Sequence, residues 1–191
     1  MDEKQDIEAE RILMDGGIVI YPTDTAYGIG CRIDSKEAVT RLFAIRKRPP
    51  TKATPVLVAS KEMAMGYFDH PSSIVIELMD TYWPGALTIV NWCLEDRVYE
   101  LVRGGTNTIG LRQPNHNRIL SIIVRLGVPI LGPSANFHTM PTPYKESDLD
   151  PELRKLADFV ISGECPVGAV STVVDCTRDP YTIIRRGAIA L

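Results

Sequence analysis

The sequence has few cysteines and histidines, and it lacks the patterns in which these residues bind metals or form disulfide frameworks. Its 191 residues include four cysteines and three histidines. None of them shows the close paired spacing of a zinc site, and the cysteines are too sparse for a small secreted scaffold. We therefore interpret the cysteines as reduced thiols and predict no metal held by protein ligands alone.

Long hydrophobic runs are missing too. No apolar stretch approaches the roughly 20 residues that a membrane-spanning helix needs, and segment 1–17 is acidic, unlike the basic and then apolar start of a signal peptide. We predict no membrane association and, by default, a cytoplasmic location. The Walker loop, the GxGxxG fingerprint and the HExxH helix are also absent. A nucleotide site in this chain must therefore be of another kind.

An excess of positive charge is missing as well. The formal net charge is −3 at pH 7, which argues against a protein that coats nucleic acid through its overall charge. One basic cluster stands out, because Arg46, Lys47, Arg48 and Lys52 lie within seven residues at the end of a predicted helix. The helix dipole alone would stabilise cations there. Arg48 and Lys52 are also suitably placed to hold a triphosphate or an RNA backbone.

Helical and extended patterns alternate along the rest of the chain, whose 45% hydrophobic and 24% charged residues suit one globular domain. Helices are predicted at 7–14, 38–45, 74–83, 119–126 and 151–157. Strands are predicted at 18–21, 55–59, 86–90, 108–111, 129–131, 159–161, 172–174 and 182–184. Because the last strands follow one another without helices, the order indicates an α/β fold with a mixed sheet. The connector 137–150 is either a mobile lid or an ordinary surface crossing.

Polar and flexible residues directly follow the first predicted strand. Thr23, Thr25 and Tyr27 offer hydroxyl groups to a ligand. Gly28 and Gly30 would let the backbone come close to a bound group. A plain turn between strands is the alternative interpretation.

Other polar residues lie near the ends of later strands. Arg112 ends an apolar strand, where its guanidinium could clamp a carboxylate bidentately. Ser134 and Asn136 follow a buried strand and suit phosphate oxygens or a ribose. Ser171 and Arg185 lie near the ends of two adjacent strands. Each of these positions could also be an ordinary turn or surface residue.

Eight segments are informative as a set. They are PTDTAYGIG, RKRPPTK, PVLVAS, WPGALT, TIGLRQP, GPSAN, STVVD and IIRRGAI. In this order they resemble the YrdC family of threonylcarbamoyl-AMP synthases over nearly the whole chain. The resemblance implies a single YrdC-like domain over residues 1–191, an open twisted mixed β-sheet with flanking helices, and a large basic concave cavity. The chain is similar to the short form of the family, without the extra carboxyl-terminal domain of longer relatives.

The resemblance also implies an activity. The chain would be a nucleotidyltransferase that forms threonylcarbamoyl-adenylate and pyrophosphate from L-threonine, bicarbonate and ATP. A separate threonylcarbamoyl transferase complex would then modify a tRNA adenosine beside the anticodon. Mg²⁺ would accompany ATP, held mostly by phosphates and water.

Roles for individual residues are carried over in the same way. Threonine would contact Thr25, Arg112 and Ser171, with Arg112 on its carboxylate. ATP would contact Arg48, Lys52, Thr108, Ser134, Asn136 and Arg185. The catalytic contribution would be the positive charge of Arg46, Arg48 and Lys52, without a side-chain nucleophile.

Two features depart from the family pattern. Arg46 stands where the family has a lysine, which keeps the charge but changes its geometry. After Asn136 the chain reads FHTMPTPY where the family commonly has a Ser-Gly pair. Two other functions therefore stay open. One is a module that binds double-stranded RNA or tRNA through phosphates, and the other is a paralogue that acts on another amino acid or has lost synthesis.

Overall fold

The computed structural model describes residues 2–191, in which seven α-helices and nine β-strands alternate. The helices are α1 (Asp2–Met14), α2 (Lys36–Ile45), α3 (Lys61–Met65), α4 (Ser73–Tyr82), α5 (Glu100–Arg103), α6 (Asn117–Leu126) and α7 (Pro151–Leu156). The strands are β1 (Val19–Tyr21), β2 (Gly28–Gly30), β3 (Val56–Leu57), β4 (Leu87–Trp92), β5 (Thr108–Arg112), β6 (Ile130–Leu131), β7 (Phe159–Val160), β8 (Thr172–Asp175) and β9 (Thr182–Arg185).

The strands form two sheets, one with the order β2-β1-β7 and one with the order β6-β3-β5-β4-β8-β9. Both are mixed. In the larger sheet β3 and β5 run parallel, as do β4 and β8, whereas β4 and β5 are antiparallel. The last two strands, β8 and β9, are antiparallel neighbours. The predicted mixed α/β fold is confirmed, with its strands divided between two sheets.

The larger sheet has one apolar face and one face with polar groups, because successive side chains of a strand point to opposite sides. On β4 and β5, Ile89 and Leu111 are fully buried in the core and are partners in the register. Their neighbours Thr88 and Arg112 point to the other face. Thr88 is in turn the register partner of Val173 on β8. This second face carries the candidate site.

Helix α2 leads directly into the basic segment 46–52. The Oγ atom of Ser35 accepts a hydrogen bond from Ala38 N at 3.3 Å and caps the helix start. Leu42 lies in the core, and Pro49 prevents the helix from continuing through the basic segment. The cations of this segment therefore belong to a loop.

The sequence patterns missed three short elements, namely β2, α3 and α5. Strand β2 contains two glycines that the sequence analysis assigned to a ligand-binding loop. A Cβ on Gly28 would lie 2.7 Å from the Tyr21 ring, and one on Gly30 would lie 1.9 Å from Leu131 O. Both glycines are thus needed for packing against these neighbours. None of the helices in the described range is long and apolar enough to cross a membrane.

The connector 137–150 is tied to the loop that follows β1. Tyr27 N donates a hydrogen bond to Pro143 O at 3.0 Å. Thr142 lines the cavity described below, and Leu149 is buried. These contacts favour the surface-crossing interpretation over that of a mobile lid.

Candidate active site

A cavity lined mainly by polar groups opens on the second face of the larger sheet. The loops after β1 and β6 form its other walls. Six serine and threonine side chains line it: Thr23, Thr25, Thr88, Ser134, Thr142 and Ser171. Its two charged lining residues are Arg112 and Arg185. Such a wall suits a polar ligand that carries negative charge.

Arg112 ends β5 and is held by three hydrogen bonds at the cavity wall. Its Nε donates to Gly85 O at 2.9 Å, its Nη1 donates to Thr25 Oγ1 at 2.6 Å, and its Nη2 donates to Asp24 Oδ1. Burial lowers the pKa of the guanidinium, and the Asp24 carboxylate opposes that effect. Because arginine keeps its proton in proteins, Arg112 is a fixed buried cation.

The threonines after β1 form a compact buried turn beside Arg112. Thr23 Oγ1 donates to Ala26 O at 2.7 Å and lies 3.0 Å from Thr25 Oγ1. Thr23 and Thr25 are 4% and 3% exposed. The turn alternative from the sequence analysis is therefore correct for the backbone, and the hydroxyl groups still reach the cavity wall.

Ser171 and Arg185 form the opposite part of the wall. Ser171 Oγ lies 2.8 Å from Thr88 Oγ1. Arg185 donates to Ser171 through Nη2 to Oγ at 2.9 Å and through Nε to the carbonyl oxygen at 3.0 Å. Burial lowers the pKa of Arg185. No acidic side chain that the structure describes pairs with it, so its charge is available to a ligand.

Ser134 lines the cavity, whereas Asn136 lies behind it. Ser134 Oγ donates to Asn136 Oδ1 at 2.6 Å. Arg46 donates to the same Oδ1 through Nη2 at 3.3 Å and to the Asn136 carbonyl through Nε at 3.0 Å. The Asn136 amide nitrogen donates to Met140 O at 2.5 Å. The Asn136 side chain is thus engaged within the protein.

Arg46 is a buried cation without a carboxylate partner among the described residues. It is 3% exposed, and its Nη1 has no hydrogen-bond partner there. Burial, together with the nearby charge of Arg48, lowers its pKa to about 10. Arg46 still carries its charge at neutral pH, and the two N–H bonds of its Nη1 have no partner among the described residues.

Three further predicted site residues lie outside the cavity lining. Arg48 folds back on its own loop, where Nε donates to Lys52 O at 3.0 Å and Nη2 donates to Ala53 O. Lys52 is exposed. Thr108 is at the start of β5, about 13 Å along the strand from Arg112 at the usual rise per residue. Its Oγ1 lies 3.0 Å from Thr106 Oγ1.

The structure thus brings together half of the predicted site residues. Those at the cavity are Thr25, Arg112, Ser134, Ser171 and Arg185. Those outside its lining are Arg46, Arg48, Lys52, Thr108 and Asn136. Two contacts were missed, Thr88 with Ser171 and Asp24 with Arg112. Both missed residues lie in segments already singled out, WPGALT and PTDTAYGIG, but their partners depend on the pairing of distant strands.

Metal-ligating groups are sparse in the described part of the chain. No group of three or more His, Cys, Asp or Glu side chains there could hold a metal ion. The four cysteines are free thiols. Burial raises the pKa of Cys31 to about 12.

Comparison with known proteins gives matches over nearly the whole chain. A family model described as Sua5/YciO/YrdC, telomere recombination, matches residues 11–187. A threonylcarbamoyl-AMP synthase of Bacillus subtilis is 30% identical over 98% of this chain and 55% of that protein. A protein of the same name from Xanthomonas axonopodis is 30% identical over 89% of this chain and 91% of its own length.

A solved structure agrees with these matches. The crystal structure of Pyrococcus abyssi Sua5 complexed with L-threonine superposes with a TM-score of 0.89 at 29% identity. The match covers 98% of this chain and 55% of that one. The chain therefore spans about half the length of the B. subtilis and P. abyssi proteins.

Proposed function

Because this chain belongs to the Sua5/YciO/YrdC family, we propose that it is a threonylcarbamoyl-AMP synthase. The observation that carries the proposal is the cavity in which buried Arg112, a wall of hydroxyl groups and Arg185 surround one space. The matches named threonylcarbamoyl-AMP synthase, and the Sua5 structure complexed with L-threonine, support it.

Threonine binds at Arg112 in this proposal. The guanidinium has five N–H groups, and three of them are used in the hydrogen bonds to Gly85, Thr25 and Asp24. Two N–H groups are left for the substrate carboxylate. Thr25 and Ser171 supply hydroxyl groups on either side of the bound amino acid.

ATP occupies the space between Arg185, Ser134 and the basic segment 46–52. The unpaired charges of Arg185 and Arg46 attract its phosphates, and Arg48 and Lys52 meet the part that extends beyond the cavity. Asn136 acts through Arg46 and Ser134, because its side-chain oxygen accepts hydrogen bonds from both. Thr108 contacts ATP only if the nucleotide extends along β5. The described residues contain no group of acidic side chains that could hold Mg²⁺. In this proposal the ion enters with ATP, on phosphate and water ligands.

The reaction needs no side-chain nucleophile. The amine of threonine adds to carbon dioxide from bicarbonate and loses a proton to give a carbamate. A carbamate oxygen then attacks the α-phosphorus of ATP, and pyrophosphate leaves with the electrons of the broken bond. The protein contributes orientation and fixed positive charge where negative charge accumulates. The proposal includes a cytoplasmic setting and a transferase complex that passes the product to tRNA.

Pyrophosphate release tests the proposal. Purified protein receives ATP, Mg²⁺ and bicarbonate, with threonine compared against serine, valine and no amino acid. Release that needs threonine and bicarbonate together supports the synthase. Folded protein that binds ATP but releases no pyrophosphate with any amino acid contradicts it.

A salt titration of tRNA binding distinguishes the RNA-binding alternative from the synthase. Binding of tRNA through several phosphates would weaken steeply between low and physiological salt. Protein without pyrophosphate release that shows this steep loss would be an RNA-binding module of the same fold. Protein that shows neither property would be a paralogue with another substrate.

A further inference from the structure

A carboxylate lies directly behind the cation that faces the cavity. The Asp24 and Arg112 side chains are 4% and 7% exposed, and Arg112 Nη2 donates to Asp24 Oδ1. Asp24 is not among the described residues that line the cavity. The lining residue Arg112 thus belongs to a buried pair whose net charge is zero.

We propose that Asp24 is a positioning residue that makes the Arg112 site selective for zwitterionic α-amino acids over simple carboxylates. The inference rests on the proposed function, because it takes threonine to be the ligand of Arg112.

The charge balance gives the first reason. A ligand carboxylate on the free N–H groups of Arg112 lies on the same guanidinium as Asp24. Two carboxylates within about 4–6 Å of each other disfavour the charged form of both, and the buried setting strengthens that repulsion. A ligand that also carries an α-ammonium group brings its own compensating charge. A ligand without one leaves two carboxylates to share a single cation.

The lining gives the second reason. The wall beside Arg112 holds the hydroxyl oxygens of Thr25 and Ser171, which can accept hydrogen bonds from an ammonium group. None of the described lining residues has a carboxylate that could hold the ammonium group by charge. The favourable charge for the ammonium group therefore comes from Asp24, behind the guanidinium.

The position of Asp24 is fixed independently of its charge. Its carbonyl oxygen accepts a hydrogen bond from Val167 N at 2.8 Å, and Thr25, its neighbour, is buried. Asp24→Asn keeps the size of the side chain and an oxygen that can accept from Arg112. It removes only the negative charge, so the variant separates charge from geometry.

Calorimetric binding of two ligands tests the inference. The first is L-threonine, and the second is 3-hydroxybutyrate, which is threonine without its amino group. Wild-type protein should bind threonine at least about 100-fold more tightly than 3-hydroxybutyrate. In Asp24→Asn the ratio of the two dissociation constants should fall at least about tenfold, which corresponds to about 1.4 kcal/mol. The matched control is Asp158→Asn, which removes the carboxylate of the Arg41–Asp158 ion pair outside the cavity lining. It should leave the ratio unchanged.

An unchanged ratio in folded Asp24→Asn would overturn the inference. If that variant does not fold, the wild-type protein still tests the inference. A preference for threonine over 3-hydroxybutyrate below about tenfold would overturn the inference as well. Threonine binding with the expected ratios but without pyrophosphate release would leave the inference intact and contradict the synthase. Failure of wild-type protein to bind threonine would overturn both.

Discussion

Asp24 and Arg112 form an almost completely buried ion pair that joins the two sheets of the fold. Asp24 follows β1 of the smaller sheet, and Arg112 ends β5 of the larger sheet. Desolvation of both charges offsets much of their attraction, so the pair adds little net stability. Its main effect is to fix the position of the Arg112 guanidinium. Removing one partner, however, leaves a buried charge without compensation.

Loss of Arg112 alone should therefore destabilise the protein strongly. We expect Arg112→Met to lower the free energy of unfolding by about 3–5 kcal/mol, because Asp24 is left buried and unpaired. The double variant Arg112→Met with Asp24→Leu should recover most of this loss. Urea denaturation measures both. A double variant no more stable than the single one would show that the uncompensated charge is not the cause.

Loss of Arg48 should affect turnover more than stability. Among the described residues, its guanidinium bonds only to the carbonyls of Lys52 and Ala53 in its own loop. We expect Arg48→Ala to lower pyrophosphate release by about 100-fold, on the order of one lost phosphate-stabilising donor. The midpoint of thermal unfolding should move little. The control is Arg97→Ala, since Arg97 also donates to a loop carbonyl, Gly66 O. Equal turnover in the two variants would remove Arg48 from the mechanism.

Gly30 should tolerate no side chain. A Cβ there would lie 1.9 Å from Leu131 O, which is backbone and cannot rotate away. We expect Gly30→Ala to give insoluble protein, or protein at least about 3 kcal/mol less stable, as for severe overpacking. Gly105 makes the matched comparison. Nothing lies within 4 Å of its Cβ position, so its φ of +77° leaves only backbone strain. Gly105→Ala should lower the free energy of unfolding by about 1 kcal/mol. Equal losses of unfolding free energy in Gly30→Ala and Gly105→Ala, measured by urea denaturation, would refute the packing argument.

His116 should make stability fall in mild acid. Burial lowers the pKa of its imidazole, although the charge of Asp24 opposes this, and its Nδ1 has no partner among the described residues. The unfolded chain then takes up the proton first, as pH falls below about 6.5. The free energy of unfolding should therefore decrease from that pH down to the lowered folded-state pKa.

Urea denaturation between about pH 7.5 and about pH 5.5 measures this slope. His116→Gln should flatten it. His70→Gln should not, because the His70 side chain is 97% exposed. A slope that survives in His116→Gln would assign the pH dependence to other groups.

Most secondary structure could be predicted from local patterns, because helices such as α2 and α6 have apolar periodicity and clear end signals. Strand β2 could not. Two of its three residues are glycines, Gly28 and Gly30, and glycine is depleted in strands. The segment becomes a strand by pairing with β1. The four-residue helix α5 likewise depends on its tertiary surroundings.

The sequence predicts which residues form the site, but only some of the contacts that they make. Arg112, Ser171 and Arg185 were identified because they lie at strand ends, and the sheet brings them to one cavity. The partner of Arg112 could not be derived in the same way, since Asp24 lies in the loop after β1, a strand of the other sheet. The engagement of Arg48 with its own loop depends on the path of the backbone after Pro49. Local sequence does not determine that path.

We propose that this cavity makes threonylcarbamoyl-adenylate. Mass spectrometry of the reaction with isotopically labelled bicarbonate tests it most directly, because the label must enter the product through the carbamate carbon. We predict a labelled threonylcarbamoyl-adenylate that appears with wild-type protein and disappears without threonine. Folded, ATP-binding protein that yields no labelled adenylate would contradict the account.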